Sequence, residues 1–403
     1  MGPIPLIQLP APKVKGYATL SLYVGHSTFD EPPEMAGINH LLEHVLSCND
    51  DVDKEIARRG LEQNAETHGG YVRYWFSAPP EHFKFCLDFL MRIATKPTFK
   101  HVKRESHAVR QELISLLEET DYYTELEALK VLFPKSSYVR GQDAEVMLKT
   151  LPKLTTRKIE KYYRANYPRN MFIVISGGPR LKIPGIVSRK TVPRSMVSSR
   201  PKMMTDRLPD NKRVVHVRRP EIEKSQCKLI YYSEPIEKGM QETIRERLVM
   251  ATRILSGGLD SLLYKIMRDK LRLVYSVSCD VDIQPYGVVI EIEWSCDTSK
   301  VKRAVEAVQN VVKNFKALHF NGHRNLYLEQ LIRENVLTSS DIVDLYGSDL
   351  VTWGYYEPIE KVVRRVKKIK PSDVVSSVSI FMDPHRCFLV HASAKKRPPI
   401  SRI

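Results

Sequence analysis

Gly37-Ile-Asn-His40-Leu-Leu-Glu43-His44 is the stretch on which the reading of this chain turns. On a helix, residues four apart lie one turn above each other on the same face. His40 and His44 can therefore bind one ion together, and Glu43, three residues after His40, points toward the same side. Leu41, Leu42, Val45 and Leu46 are left to pack the helix into a core. Two neutral imidazoles and one carboxylate leave the fourth tetrahedral position of a zinc ion open to water, whose pKa falls from about 15.7 to about 7 on coordination. A carboxylate outside the coordination sphere can accept a proton as that water attacks a carbonyl, and Glu43 suits this role. An ordinary amphipathic helix can carry His-x-x-Glu-His by chance, so the pattern needs a third ligand.

Glu105-Ser-His-Ala-Val-Arg-Gln-Glu112 supplies one. It falls on a long helix expected over about 101–119, where Glu105 and Glu112, two turns apart, share a face. Alone, they read as two solvated glutamates; paired with the first motif, Glu112 reads as the third ligand. Glu105 then reads as an outer acceptor that orients a histidine. His107 lies between them on a different face. A structural zinc site takes four protein ligands and has no open position; His26 and His68 are the candidates for a fourth, and neither is convincing.

The rest of the chain reads as two α+β halves. In the first, strands are expected at 17–25, 71–78 and 171–178, and helices at 35–46, 53–60, 80–94, 101–119, 122–132 and 155–166. Residues 181–212 are basic, serine-rich and carry Pro184, Pro193, Pro201 and Pro209, which marks a linker between a 1–180 domain and a 213–403 domain. The second half repeats the order of elements: a strand at 227–233, helices at 241–255 and 259–271 around Gly257-Gly258, a strand at 286–294, helices at 299–317 and 324–337, and a closing strand at 387–392.

Composition narrows the class. The 403 residues, 42% hydrophobic, suffice for two cored domains. The chain has no long apolar run of membrane-spanning length. Its proline-rich start lacks the pattern of a secretory signal or of a mitochondrial presequence, which predicts an intracellular, cytoplasmic protein. The six cysteines form no Cys-x-x-Cys pair and read as reduced thiols. The net charge of +16 favours acidic partners. Its clusters, such as Lys361 to Lys368, read as solvated helix faces, and the sequence carries no nucleic-acid module.

Together these motifs resemble the inverted zinc peptidases of the pitrilysin or M16 family, in which His-x-x-Glu-His is followed downstream by Glu-x6-Glu. The resemblance covers most of the chain. It implies two similar domains, each a mostly antiparallel sheet with helices. Asn64-Ala65-Glu66-Thr67 resembles the family's Asn-Ala-x-Thr edge strand, which implies that Asn64 and Ala65 hold substrate through the backbone. Tyr138 to Gly141 and Tyr167-Pro-Arg-Asn170 match the close of the family's first domain. In the second half, Arg268-Asp-Lys-Leu-Arg-Leu-Val-Tyr275 resembles an Arg-x6-Tyr element, which implies that Arg268 and Tyr275 stabilise the developing oxyanion. The chain departs from the family in three places: Val45-Leu-Ser-Cys-Asn-Asp50 replaces an aromatic-Gly-Thr stretch, the first β-strand is shortened at the N-terminus, and Ile38-Asn39 replaces the more usual small residue before His40. In this the segment is similar to metallopeptidases of poxviruses and other large DNA viruses, which implies a virion-associated role.

The expectation is a zinc endopeptidase acting on extended peptides, alone, as a homodimer or with a related partner subunit. Two alternatives stand beside it. One is a catalytically inactive scaffold of the same fold, although such relatives lose the ligands or the base and this chain keeps all four residues. The other is a basic virion-core or nucleic-acid-associated protein with structural zinc.

Overall fold

A computed structural model describes residues 3–12, 16–48, 50–134, 136–178, 186–189, 191–237, 239–334, 338–395, 400 and 403. Residues 181–185 and 190 of the expected linker, and 335–337 of the last expected helix, lie outside them. In chain order the first half runs β1 (Ile4–Gln8), β2 (Ala18–Val24), α1 (Ile38–Ser47), α2 (Asp50–Arg59), β3 (Glu62–Thr67), β4 (Val72–Ala78), α3 (Phe83–Thr95), α4 (Val102–Glu118), α5 (Tyr122–Leu132), α6 (Ser137–Gln142), α7 (Ala144–Thr150), α8 (Thr156–Asn166), β5 (Met171–Ser176) and β6 (Ile186–Arg189). The second runs β7 (Val214–Arg218), β8 (Ser225–Ser233), α9 (Gln241–Ser256), β9 (Val277–Gln284), β10 (Gly287–Cys296), α10 (Val301–Lys313), α11 (Phe320–Glu334), α12 (Ser339–Trp353), α13 (Ile359–Val366), α14 (Pro371–Phe381) and β11 (Cys387–Ser393).

Among the described residues there are two sheets, ordered β3-β4-β2-β5-β1-β6 and β9-β10-β8-β11-β7. Without β6, the two are the same sheet built twice. In each, one outer strand pairs parallel to the closing strand (β1 with β5, β7 with β11), and the other pairings are antiparallel. The two α+β domains with mostly antiparallel sheets expected from the sequence are therefore present.

Two compact units do not follow linear order. One holds residues 1–117, 135–201 and 333–357; the other holds 118–134, 202–332 and 358–403. Each unit thus takes one helix from the other half of the chain. α5 lies against β7, β8 and β11, where the exposed Glu125 carboxylate meets the buried Lys228 ammonium. α12 lies against β2 and β5, where the Tyr23 hydroxyl donates to the Val343 carbonyl (3.0 Å) and Arg73 pairs with Asp344. α12 covers apolar surface: Ile342, Val343, Tyr346 and Leu350 pack with Tyr23, Phe172 and Val174 of its sheet.

Most expected elements are present at nearly the expected bounds. The helix expected over 259–271 differs: residues Tyr264–Lys270 wind as a π-helix. β9 lies outside the expected strands, although Val277, Cys279, Val281 and Ile283 alternate with Ser278, Asp280 and Asp282 along it. β1 is also unanticipated; Pro5 within it donates no ladder hydrogen bond and disguises the strand.

Candidate metal centre

α1 is placed by its buried stripe of Ile38, Leu41, Leu42, Val45 and Leu46. This leaves His40, Glu43 and His44 partly exposed on the opposite side. Gly37 precedes the helix with φ +84°, a left-handed conformation that L side chains rarely adopt. A Cβ there would also press on Met147 Sδ at 3.0 Å. α4 is anchored by Val102, Glu105, Val109 and Leu113, all buried on one face.

These two helices bring together three side chains that are far apart in sequence. Glu112 Oε2 lies 3.2 Å from His40 Nε2 and 3.3 Å from His44 Nε2. The three groups can each offer one ligand atom with all such atoms within 4.8 Å of one another. A tetrahedron with zinc–ligand bonds of about 2.1 Å has edges of about 3.4 Å, so the carboxylate stands at coordination spacing from both imidazoles. Electrostatics agree with a cation-binding pocket. The hydrogen bond to His40 holds Glu112 below its ordinary pKa. Burial works to lower His40, but Glu112, Glu43 and Glu31 together carry it above its usual value.

Glu43 stands beside the triad and outside it. Its Oε2 accepts a hydrogen bond from Thr67 Oγ1 at 2.9 Å. Burial raises its pKa, against the pull of His40, Thr67 and His44. Glu105 faces the other ring nitrogen of His44, with Oε2 3.6 Å from Nδ1, and its second oxygen accepts from Arg104 Nε at 2.8 Å. Arg104 also pairs with Asp50 and contacts Cys48. His107 is exposed, His26 bonds to Tyr162 and His68 pairs with Glu66.

β3 is the outermost strand of its sheet, paired on one side only, with Asn64 opposite Trp75 and Ala65 opposite Tyr74. A cleft of about 310 Å³ runs between β3 and the start of α2, lined by Glu43, His44, Gln63, Asn64, Ala65 and Glu105 among others. Arg268 and Tyr275 lie together in the second unit: the guanidinium sits 4.8 Å over the Tyr275 ring and 4.7 Å over that of Tyr264. Tyr275 is 73% exposed. Sequence reasoning missed Thr67 as a partner of Glu43, though it closes the Asn-Ala-x-Thr pattern. It also missed Glu31, which no motif marks.

A duplicated α+β fold thus carries two helical histidines, a distant glutamate and a further carboxylate beside an edge strand. Residues 9–130 match the family model for insulinase (peptidase family M16), and residues 153–323 match the model for the peptidase M16 inactive domain. The chain belongs to peptidase family M16. It is similar to an uncharacterized zinc protease, YmxG, of Bacillus subtilis, with 22% identity over 322 residues, 76% of this chain and 74% of that protein. Among solved structures it resembles a protease from Helicobacter pylori (TM-score 0.76, 16% identity, 96% of each chain covered). It also resembles a peptidase M16 inactive domain from Pseudomonas fluorescens (TM-score 0.73, 14% identity, 97% of each chain). All six cysteines are free. Among the described residues no helix is long and apolar enough to cross a membrane.

Proposed function

We propose that the chain is a zinc-dependent endopeptidase that hydrolyses extended peptide segments. The observation that carries this reading is the convergence of His40, His44 and Glu112 within 4.8 Å of one another, with Glu112 at coordination spacing from both imidazoles and Glu43 beside them. The donor set of two imidazoles and one carboxylate fits zinc and leaves one position for substrate or water. When bound, zinc supplies a Lewis acid that makes a nucleophile available near neutral pH.

The chain's own residues do the rest. Glu105 turns the His44 ring so that Nε2 faces Glu112. Glu43, fixed by Thr67, takes a proton from the attacking water and returns it to the leaving amine. Burial raises its proton affinity, which favours its acting as base and then as acid. The open edge of β3 takes the peptide as an added strand, with main-chain hydrogen bonds at Asn64 and Ala65 that demand no particular sequence. Arg268 and Tyr275, preassembled as a stacked pair, supply donors for the developing oxyanion. The match of residues 153–323 to the peptidase M16 inactive-domain model is consistent with a supporting role for Arg268 and Tyr275.

The test is metal content and cleavage measured together. Purified chain should hold one zinc and cut an unstructured peptide. Stripping the metal should stop cleavage, and returning zinc should restore it. Zinc bound with no cleavage of any peptide in a diverse library, by the chain alone or with a related subunit, would favour the inactive scaffold instead.

A further inference from the structure

The helix that carries both histidines has no cap of its own. Its N-cap is Gly37, which has no side chain, so the amides of the first turn need an outside acceptor. Glu31 supplies it. Its Oε2 accepts the Gly37 amide at 2.8 Å, and its Oε1 accepts both the Asn39 amide at 2.9 Å and the Asn39 side-chain Nδ2 at 3.0 Å. Glu31 is only 3% exposed. A carboxylate is desolvated there because it meets three donors and the positive end of a helix. Gly141 keeps room for it: a Cβ at that position would stand 2.8 Å from Glu31 Oε2.

The contacts continue past the cap. Asn39 Nδ2 also donates to Tyr162 Oη (3.1 Å), and Tyr167 Oη donates to Asn39 Oδ1 (3.1 Å). Tyr162 Oη is in turn 3.0 Å from His26 Nε2. Both tyrosines are buried and come from α8 and its C-terminal end. The Asn39 Nδ2 bond to Glu31 Oε1 decides which way the Asn39 amide faces, because a flipped amide would turn its oxygen onto the carboxyl group. Asn39 immediately precedes His40. Glu31 therefore ties the first turn of α1 to α8 and fixes the rotation of the helix about its axis. That rotation decides whether His40 and His44 both face Glu112 on α4.

We infer that Glu31, acting through Asn39, Tyr162 and Tyr167, is a positioning residue that sets α1 for metal capture. The inference rests on the metal centre proposed above. Removal of outer partners of metal ligands lowers metal affinity by about 10- to 100-fold, and this network acts on two ligands at once.

The experiment is zinc competition against a chromophoric chelator on the full chain, comparing the unaltered protein with Glu31→Gln, Glu31→Asp and Asn39→Ala. Circular dichroism and a urea titration of the metal-free proteins check folding. Glu31→Gln should weaken zinc binding by about 10-fold or more in folded protein. Glu31→Asp, which keeps the carboxyl group, should recover part of the loss. Asn39→Ala, which keeps both backbone bonds to Glu31, should give a smaller loss, and it decides the matter if Glu31→Gln does not fold. Unchanged zinc affinity in the folded variants, even with lowered stability, would overturn the inference and leave Glu31 a structural cap. Absence of zinc binding by the unaltered chain would instead bring down the metal centre itself.

Discussion

Glu43→Gln isolates the proton-transfer step. The substitution exchanges one carboxylate oxygen for an amide group and keeps the side chain's shape. The remaining oxygen can still accept the 2.9 Å bond from Thr67, so the local packing has no reason to shift. Glu43 is not one of the three groups at coordination spacing, so zinc should remain at one per chain. What is lost is a base whose proton affinity burial has raised. General acid–base catalysis contributes about 10²- to 10⁴-fold, or about 3–5 kcal/mol of barrier. The assay is steady-state hydrolysis of a fluorogenic peptide alongside zinc determination on the same sample. Thr67→Val is the companion: it frees Glu43 at a cost near one buried hydrogen bond, about 1 kcal/mol, and should slow turnover by roughly fivefold. Full turnover by Glu43→Gln would show that the base lies elsewhere. Loss of zinc from it would show that Glu43 is a ligand and that the triad is misassigned.

Four further outcomes are expected. Glu112→Gln should lose zinc in competition with a chelator, because it removes the carboxylate that spans both imidazoles; tight binding would exclude Glu112 from coordination. Arg268→Ala should keep zinc and lower kcat by about 10²-fold, the usual cost of one oxyanion donor; unchanged kinetics would detach the second half from the chemistry. Lys228→Met should destabilise, since the buried ammonium (4% exposed) holds Glu125, Glu291 and Glu293 together. Breaking a buried pair costs about 3–5 kcal/mol, and the half-exposed Glu125 and Glu293 reduce this to roughly 2–3 kcal/mol in urea unfolding; no change would mean the cluster is neutral. Burial holds His391 down at about 4, beside His216. Its ordinary value is near 6.5, so the unfolded chain binds the extra proton first. The stability is fully present above pH 6.5 and is lost as pH falls toward 4, by up to about 3 kcal/mol. His391→Phe should flatten that acid limb of the melting curve, and an unaltered limb would assign it to other groups.

The sequence by itself determined the duplicated α+β architecture and marked His40, Glu43, His44 and Glu112 as the candidate site. Those features are local and periodic. His40 and His44 sit one helical turn apart, Glu105 and Glu112 two turns apart, and the strands announce themselves by apolar runs. α12 also carries local signals: Thr338 and Asp341 form a capping box at its start, and Gly354 closes it with φ +83°. Tertiary structure alone decided which sheet each helix covers. α5 and α12 each join the unit built mainly from the other half of the chain, and no property of either segment encodes that exchange. It also decided the Glu31 network, where residues 31, 39, 162 and 167 meet through side-chain bonds. Spacing in sequence reports only neighbours on one helix or strand. A buried carboxylate finds its donors by packing, and packing joins positions that local patterns leave unrelated.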